Sequence, residues 1–414
     1  MYISNFKTLL LVVSLFFNVS VVANTNFVTV KGTQILDPQG KPLFFNGINL
    51  GNWLLWEGYL MMGDFKYRTH SQFLAQLTHA FGSWERAKRF EREWRLNYVT
   101  ETSIRRLKEL GYNSVRVPFH YKLFWHDNKL TDEGFEYFDR LIRYCRKYQV
   151  YVLLDMHAAP GYQNPGDHSD NLKSNERQPR ESVGFWDSPE HLLIAQKVWR
   201  HIARRYKNEP VIWGYDLMNE PVPQQGREYE LLPSLLAISQ AIREVDNNHI
   251  VVAEGAWWSS DLSKLDWHDE KVQRKAGIKQ KWDDKLVYQL HHYGPAEETF
   301  GRERFADKLN VPIILGEFGE SDNVNLSKIA SWAKAHLAGY YIWSFKKISH
   351  DRTLWTIPTN EPYEKVKHFI NHGGKPPIES FDGMLSFARE NLIEGHGSHI
   401  WHQAFYDAIK PTSN

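Results

Sequence analysis

Two glutamates stand out as a possible working pair: Glu220 in Asn219-Glu220-Pro221, and Glu317 in Gly316-Glu317-Phe318-Gly319. Each comes just after a short apolar run, Val211–Leu217 for the first and Val311–Leu315 for the second. Two carboxyl groups facing one acetal bond can split it. One gives a proton to the leaving oxygen, while the other attacks the anomeric carbon or activates water. Either glutamate alone reads equally well as a salt-bridged loop residue. Their matching positions after two similar runs give the pair its weight.

Other polar and aromatic residues hold the same position after other apolar runs. Asn49 is followed by Trp53, Trp56 and Glu57, and Arg116 precedes Pro118. Further along come Asp155 with His157, then Glu254 with Trp257 and Trp258. The last two groups are His291-His292-Tyr293 and Trp343 with Phe345 and Lys346. Arg116 could be an ion pair inside the fold or a support for a catalytic carboxylate. His157 and His291 fit hydrogen-bonded core positions as well as ligand contacts. Trp53, Trp56, Trp186, Trp257 and Trp258 are candidate platforms for a flat apolar ligand face, or packing residues.

These groups need an element that brings many strand ends to one place. Eight runs supply it: Phe44–Ile48, Ser114–Val117, Val150–Leu154, Val211–Leu217, Ile250–Ala253, Leu286–Leu290, Val311–Leu315 and Gly339–Trp343. Helical patterns lie between them, at Thr100–Leu110, Thr131–Tyr148, Pro189–Tyr206, Leu231–Val245 and Leu326–Leu337. Ser188-Pro189 is a helix start, with a capping side chain and proline in the first turn. Eight strands alternating with helices predict an α/β fold, a (β/α)8 barrel, whose functional residues sit at the C-terminal strand ends. No G-x-G-x-x-G follows the first run, which argues against a dinucleotide-binding sheet. A short hairpin, Phe27–Lys31 and Gln34–Leu36 with its turn at Asp37-Pro38-Gln39-Gly40, precedes the barrel. The irregular stretches Tyr59–Gln76, Ala158–Asp187, Trp257–Asp284 and Ser349–Asp382 are expected to be long loops on the active face. No linker-like stretch divides the chain, so one domain is expected.

Composition narrows the partners. The 414 residues are 42% hydrophobic and 24% charged, with a formal net charge of +1. That balance gives no footprint for nucleic acid or an anionic membrane, and no residue pattern sets an oligomeric state. Aromatic residues reach 14%, with 16 Trp, 20 Tyr and 23 Phe, enough for both a core and a stacking site. Cys145 is the only cysteine, so no intrachain disulfide can form, and its helical spacing predicts a buried small hydrophobe. Residues 1–23 read as a secretory signal: Lys7, an apolar stretch from Leu9 to Val22, and small residues at Val21-Val22-Ala23. The expectation is therefore a secreted or periplasmic barrel over residues 24–414.

The motifs resemble glycoside hydrolase family 5, a cellulase-type group of retaining β-glycosidases, from about Phe44 to Lys346. Within it they are most similar to the exo-β-1,3-glucanase branch. Asn49-Leu50-Gly51-Asn52-Trp53-Leu54-Leu55-Trp56-Glu57 resembles N-L-G-G-W-L-x-x-E, and Val115-Arg116-Val117-Pro118 resembles V-R-I-P. The run from Asp155 to Asn164 resembles D-L-H-G-A-P-G-S-Q-N. His291-His292-Tyr293 and Trp343-Ser344-Phe345-Lys346 resemble H-H-Y and W-T-W-K. The resemblance implies Glu220 as acid/base and Glu317 as nucleophile. It implies that Asn219 binds the sugar 2-hydroxyl and that Arg116 and Tyr293 hold Glu317. His157 and His291 would line the same subsite, with Trp343 as its aromatic floor. Glu57 would bind hydroxyls at the non-reducing end, which favours exo action. Gly58 and Gly316-Glu317-Phe318-Gly319 depart from the branch, which has Pro and G-E-W there.

The resulting expectation is a retaining β-glucan hydrolase without metal or cofactor, in which the charge of Glu317 raises the pKa of Glu220. An endo-β-1,4-glucanase or mannanase of the same family fits the same catalytic residues. A metal-dependent hydrolase would use Asp155, His157, His291 and His292 as ligands, but the first strand lacks H-x-H. A carbohydrate-binding barrel without catalysis would leave the carboxylate pair unexplained.

Overall fold

The computed structural model describes residues 26–61, 67–173, 183–395 and 399–411. The expected leader and part of the Pro165–Asp187 loop lie outside the described residues.

Eight parallel strands close into a barrel, as the alternating pattern predicts. They are β1 Phe45–Asn49, β2 Ser114–His120, β3 Tyr151–Ala158, β4 Ile212–Asp216, β5 Ile250–Glu254, β6 Leu286–His291, β7 Ile313–Gly319 and β8 Gly339–Trp343. Each pairs with its neighbour in sequence, and β8 closes on β1 through Gly339–Phe45 and Ile342–Ile48.

Side chains alternate across each strand, and two apolar clusters result. Val115, Val152, Val251, Tyr288, Leu315 and Tyr340 face the surrounding helices and join the main core. Phe45, Leu153, Trp213, Ile250, Val287, Ile314 and Tyr341 form a second cluster, which Val28 and Ile35 of the N-terminal hairpin complete. The hairpin therefore packs against the N-terminal strand ends. Phe45 stacks on Trp213 at 4.4 Å, and Trp213 Nε1 donates to the Tyr341 hydroxyl, which also meets Ser114 Oγ at 2.7 Å. Further along the same strands the buried residues turn polar: Asn49, Arg116, Asp155, Asp216, Glu254 and Gln289. One end of the barrel is thus an apolar plug and the other a desolvated polar layer.

The helices follow their local signals. Helix Pro189–Tyr206 starts where Ser188 Oγ accepts from Glu190 N, and Trp199 Nε1 donates to Leu217 O beyond the end of β4. Cys145 is buried on helix Glu133–Tyr148, as its spacing predicts.

Four expectations change, one of them at Trp257–Asp284, which contains helix Glu270–Ala276 behind an Asp269 cap. The hairpin strands Thr29–Lys31 and Gln34–Leu36 are joined at Gly32-Thr33, with Gly32 at φ +60°; Asp37–Gly40 is the following turn. Tyr59–Gln76 is not wholly a loop, because helix His70–Phe81 begins inside it behind a Thr69–Gln72 capping box. A second helix, Trp84–Tyr98, follows it, and Trp94 Nε1 donates to Asn52 O. Together they cover the chain leaving β1. Ser349–Asp382 likewise contains helix Glu361–His372, capped by Asn360. In both places the sequence held the cap, Thr69 or Asn360, and apolar residues at helical spacing, such as Phe73, Leu74, Leu77, Ala80 and Phe81 in the first.

Gly47 of β1 has no room for a side chain: a Cβ would lie 2.2 Å from the Tyr341 ring. That ring is fixed by its bonds to Ser114 and Trp213, so Gly47→Ala is an overpacking substitution. It should lower stability by about 1–3 kcal/mol or more, measured as a loss of urea midpoint at unchanged slope.

Candidate active site

The polar layer is organised around Arg116 on β2, whose side chain is fully buried. Its Nε donates to Asp216 Oδ2 at 2.8 Å, and Nη1 to Asn49 Oδ1 at 3.1 Å and Glu317 Oε1 at 2.6 Å. Nη2 donates to Asn219 Oδ1 at 2.8 Å and Glu254 Oε1 at 2.9 Å, and lies 3.0 Å from Asp155 Oδ2. Burial disfavours the guanidinium charge, but Asp155, Asp216, Glu317 and Glu254 outweigh it and hold its pKa well above the ordinary value. One cation cannot satisfy four carboxylates. Burial pushes the carboxyls of Asp155 and Glu254 well up, against the pull of Arg116.

Glu317 lies on β7, within a register shift against β8. Arg116 donates to its Oε1, and the Tyr293 hydroxyl donates to Oε2 at 2.7 Å. Asn49 Nδ2 donates to the preceding carbonyl, Gly316 O. Both oxygens are therefore held from outside the strand.

Glu220 follows β4 with φ +46°, a left-handed conformation that costs free energy for a residue with a Cβ. Its surroundings hold it there. Its N–H donates to Glu254 Oε2 at 2.7 Å, and its carbonyl accepts from Asn164 Nδ2 at 3.1 Å. The side chain reaches two imidazoles: His291 Nδ1 is 2.8 Å from Oε1, and His168 Nε2 is 3.0 Å from Oε2.

One carboxylate oxygen of Glu220 and one of Glu317 lie within 4.8 Å of each other. Carboxyl groups about 5–5.5 Å apart suit a double displacement, whereas about 6.5–9.5 Å leaves room for an attacking water. An oxygen pair within 4.8 Å is in keeping with the closer spacing.

The expected electrostatics of Glu220 is reversed. Burial raises its carboxyl, but the bonds and charges of His168 and His291 outweigh burial and hold it well below its ordinary value. Burial lowers the His168 imidazole, but Glu220, Glu57 and Asp167 overcome this and raise it to about 9. His157 goes the other way: burial, then Arg116, pushes it well down.

A cavity of about 420 Å³ opens over the pair, lined by Glu57, Tyr59, His157, His168, Glu220, Trp258, Tyr293, Glu317 and Trp343. His157 stacks on Trp343 at 5.5 Å and bonds Asp155 through Nδ1. Trp343 Nε1 donates to the Tyr59 hydroxyl, which donates to Glu320 Oε1. Glu57 is buried, and desolvation raises its carboxyl well up.

The structure thus brings Glu57, His157, Glu220, Tyr293, Glu317, Trp343 and Trp258 to one cavity, with Arg116, Asn219 and His291 beneath. Four tryptophans do not line it. Trp53 is buried with Nε1 donating to Arg95 O, because the helices after β1 cover it. Trp56 is buried against His70 and Trp94. Trp186 is buried beside Phe185, with Nε1 donating to Gln163 O. Trp257 is half-buried against the core; left-handed backbone at both residues leaves Trp258 exposed, 5.4 Å from the His168 ring. His292 turns away and bonds Pro295 O.

Two lining residues escaped the sequence reading. Tyr59 lies two positions past Glu57, and only that closeness hints at it. His168 sits in an irregular stretch with no periodicity to mark it.

Among the described residues, the oxygens of Asp155, Asp216 and Glu254 cluster closely enough for a metal ion, as do ligand atoms of Glu220, His291 and Glu317. Arg116 already contacts every member of the first set.

A family model described as Cellulase (glycosyl hydrolase family 5) matches residues 78–349. A beta-xylosidase of Phanerodontia chrysosporium is 28% identical over 271 residues, 64% of this chain and 52% of the relative. Endoglucanase C of Acetivibrio thermocellus is 29% identical over 209 residues, 50% of this chain and 53% of the relative. The chain thus spans about half the length of these two curated relatives. A glucan 1,3-beta-glucosidase of Candida oleophila is 29% identical over 303 residues, 70% of this chain and 67% of the relative. In fold the chain is similar to a rutinosidase from Aspergillus niger, with TM-score 0.55 at 16% identity, covering 80% of this chain and 97% of that one.

Removing the guanidinium tests the electrostatic core. Arg116→Met should cost about 3–5 kcal/mol, because buried carboxylates lose their cation. Without it, those carboxyls keep protons in the folded chain at a pH where the unfolded chain has released them. The deficit should therefore be largest near neutral pH and shrink towards about pH 5, as urea unfolding at both pH values would read.

Proposed function

Because the chain belongs to glycosyl hydrolase family 5, we propose that it hydrolyses β-glucans with retention of configuration, Glu317 acting as nucleophile and Glu220 as acid/base. The observation that carries this is the carboxylate pair, with oxygens within 4.8 Å beside the cavity.

Glu317 attacks the anomeric carbon as the bond to the leaving oxygen breaks, and Glu220 protonates that oxygen. Water then displaces Glu317 from the glycosyl ester and gives its proton to Glu220. Charge-assisted bonds from Arg116 and a hydroxyl bond from Tyr293 aim the Glu317 carboxylate. Asn219, fixed through Oδ1 by Arg116, offers its amide to the 2-hydroxyl. Glu57, His157 and Trp343 bind the same sugar.

The substrate class follows from site size and relatives. A cavity of about 420 Å³ is near the small end of the ~300–1,000 Å³ range of ligand sites, which suits a chain terminus. The Candida oleophila relative is named a glucan 1,3-beta-glucosidase. Together with Glu57 beside the pair, this supports exo action on β-1,3-glucan. The match to Endoglucanase C favours a second reading, endo cleavage of β-1,4-glucan. The reading includes export, supported by the leader pattern in residues 1–23. Among the described residues, no helix is long and apolar enough to cross a membrane.

Chromatography of products from laminarin, cellulose, mannan and aryl β-glucosides tests the assignment. Glucose alone from laminarin is expected; mixed oligosaccharides would exclude exo action. Proton NMR of the first product should show the β-anomer, and an initial α-anomer would overturn retention. Glu317→Gln should lower turnover of an aryl β-glucoside roughly 10⁴-fold or more, and wild-type activity in that variant would remove Glu317 from the role.

A further inference from the structure

We propose that His168 and Glu220 form one acid/base unit, in which the proton used on the leaving oxygen rests on the imidazole between turnovers. The inference rests on the reading of Glu220 as acid/base and adds a residue to that role.

Geometry carries the argument. His168 comes from the loop after β3 and lines the cavity beside Glu220, with Nε2 3.0 Å from Oε2. That nitrogen has a partner in either protonation state. When it carries the proton, Glu220 Oε2 accepts from it. When the proton has moved to the carboxyl, Asn164 Nδ2, 3.0 Å away, donates to the freed lone pair. Asn164 is itself oriented, because its Oδ1 accepts from Gly166 N and its Nδ2 also donates to Glu220 O. The amide therefore links both members of the pair.

The loop is anchored on three sides. Gln163 Nε2 donates to His157 O and Asn219 O, tying it to β3 and to the end of β4. Asp170, two residues past His168, accepts from Ser71 N and Oγ at the start of helix His70–Phe81. His120 at the end of β2 and Lys122 also bond Asp170. Such support suits a side chain that must keep its distance to a reacting group.

Charge balance gives the reason for an imidazolium here. Glu57, Glu220 and Glu317 line the cavity, and the buried cation beneath it, Arg116, is already shared among Asp155, Asp216, Glu254 and Glu317. Facing His168 are Glu220, Glu57 and Asp167, and Asp167 lies 3.6 Å from Arg68. The His157 ring, 5.7 Å away, is held neutral by burial and Arg116. On the far side of Glu220 stands His291. A proton on His168 adds positive charge where negative charge is in excess, consistent with its imidazole being raised to about 9.

The proton balances over the cycle. As the bond to the leaving oxygen breaks and Glu317 bonds the anomeric carbon, the proton passes from Nε2 to the Glu220 carboxyl and on to the departing oxygen. Glu220 is left a carboxylate beside a neutral imidazole. The water that attacks the glycosyl ester gives one proton to Glu220, which returns it to Nε2. Glu317 leaves as a carboxylate, and the resting charge is restored.

Two measurements on the full chain test this. In the first, nitrogen-15 NMR follows the His168 ring with pH in wild type and in Glu220→Gln. The wild-type ring should titrate near pH 9, and the variant ring at least about 2 pH units lower, since it loses its bonded anion. Equal midpoints would overturn the pair whatever the substrate proves to be. In the second, kcat/KM is followed with pH for wild type and His168→Asn, using phenyl and 2,4-dinitrophenyl β-glucosides. In the variant the basic limb should fall by about 2 pH units with the phenyl glucoside, because a lone carboxyl loses its proton earlier. The dinitrophenyl glucoside, whose leaving group needs no proton, should keep its rate within about 3-fold. An unmoved basic limb, or equal losses on both glucosides, would reduce His168 to a structural residue. If wild type hydrolysed no glucoside at all, the proposed function would fall and take the kinetic role with it, while the NMR titration would still judge the pair.

Discussion

Arg116 is the interaction on which the working end of the barrel depends. Its guanidinium joins groups from β1, β3, β4, β5 and β7, and Asn219 beyond β4, at the mouth of a closed cylinder. Taking these charges out of water costs several kcal/mol per ion. An apolar filling of the same volume would hold a barrel together at least as well. What the guanidinium supplies is direction. Its planar fork bonds Glu317 through Nη1 and Asn219 through Nη2, so both stand in fixed relation to Asn49 and Glu254. The apolar plug of Phe45, Trp213 and Tyr341 keeps the lower barrel dry and makes those bonds effective.

The same cluster explains how Glu220 keeps its left-handed backbone. Glu254 bonds Arg116 with one oxygen and the Glu220 N–H with the other. The loop after β3 holds Glu220 from the opposite side through Asn164. Both carboxylates of the pair are therefore positioned by chains of bonds that meet at Arg116. An excess of buried carboxylates over cations is the consequence. The carboxyls of Asp155 and Glu254 within the barrel and the imidazole of His168 at its mouth are all raised in response.

The aromatic residues show how burial decides between two uses of one residue type. Trp53 and Trp56 stand within four residues of Glu57, yet both are enclosed by the helices at 70–81 and 84–98. Trp343 and Trp258 line the cavity because nothing comparable covers the ends of β5 and β8. Of the helices that bury the first pair, His70–Phe81 carries no acid, Lys or Arg, while Trp84–Tyr98 is charged on its outer face. Their packing comes from Phe73, Leu77, Phe90 and Trp94 folding back on the loop after β1, within the same connection between β1 and β2.

The barrel was legible because eight short apolar runs of strand length are interspersed with helical spacing, and each run survives as a strand within a few residues. The residues at the strand ends were legible for the same reason: a strand fixes where its last side chain points, so Arg116, His157, Asn219, Glu220, His291, Tyr293, Glu317 and Trp343 converge once the cylinder closes. Distances and protonation were not legible. The 4.8 Å limit between the two carboxylates, the burial of Trp53, Trp56 and Trp186, and the arrival of His168 beside Glu220 depend on loops whose course is set by contacts across the barrel. Repulsion from Glu317 was the electrostatic effect visible along the chain, and it predicted a raised Glu220. In space two imidazoles stand nearer and reverse the sign, because hydrogen bonds and Coulomb forces act over a few ångströms of folded distance, while sequence separation says nothing about that distance.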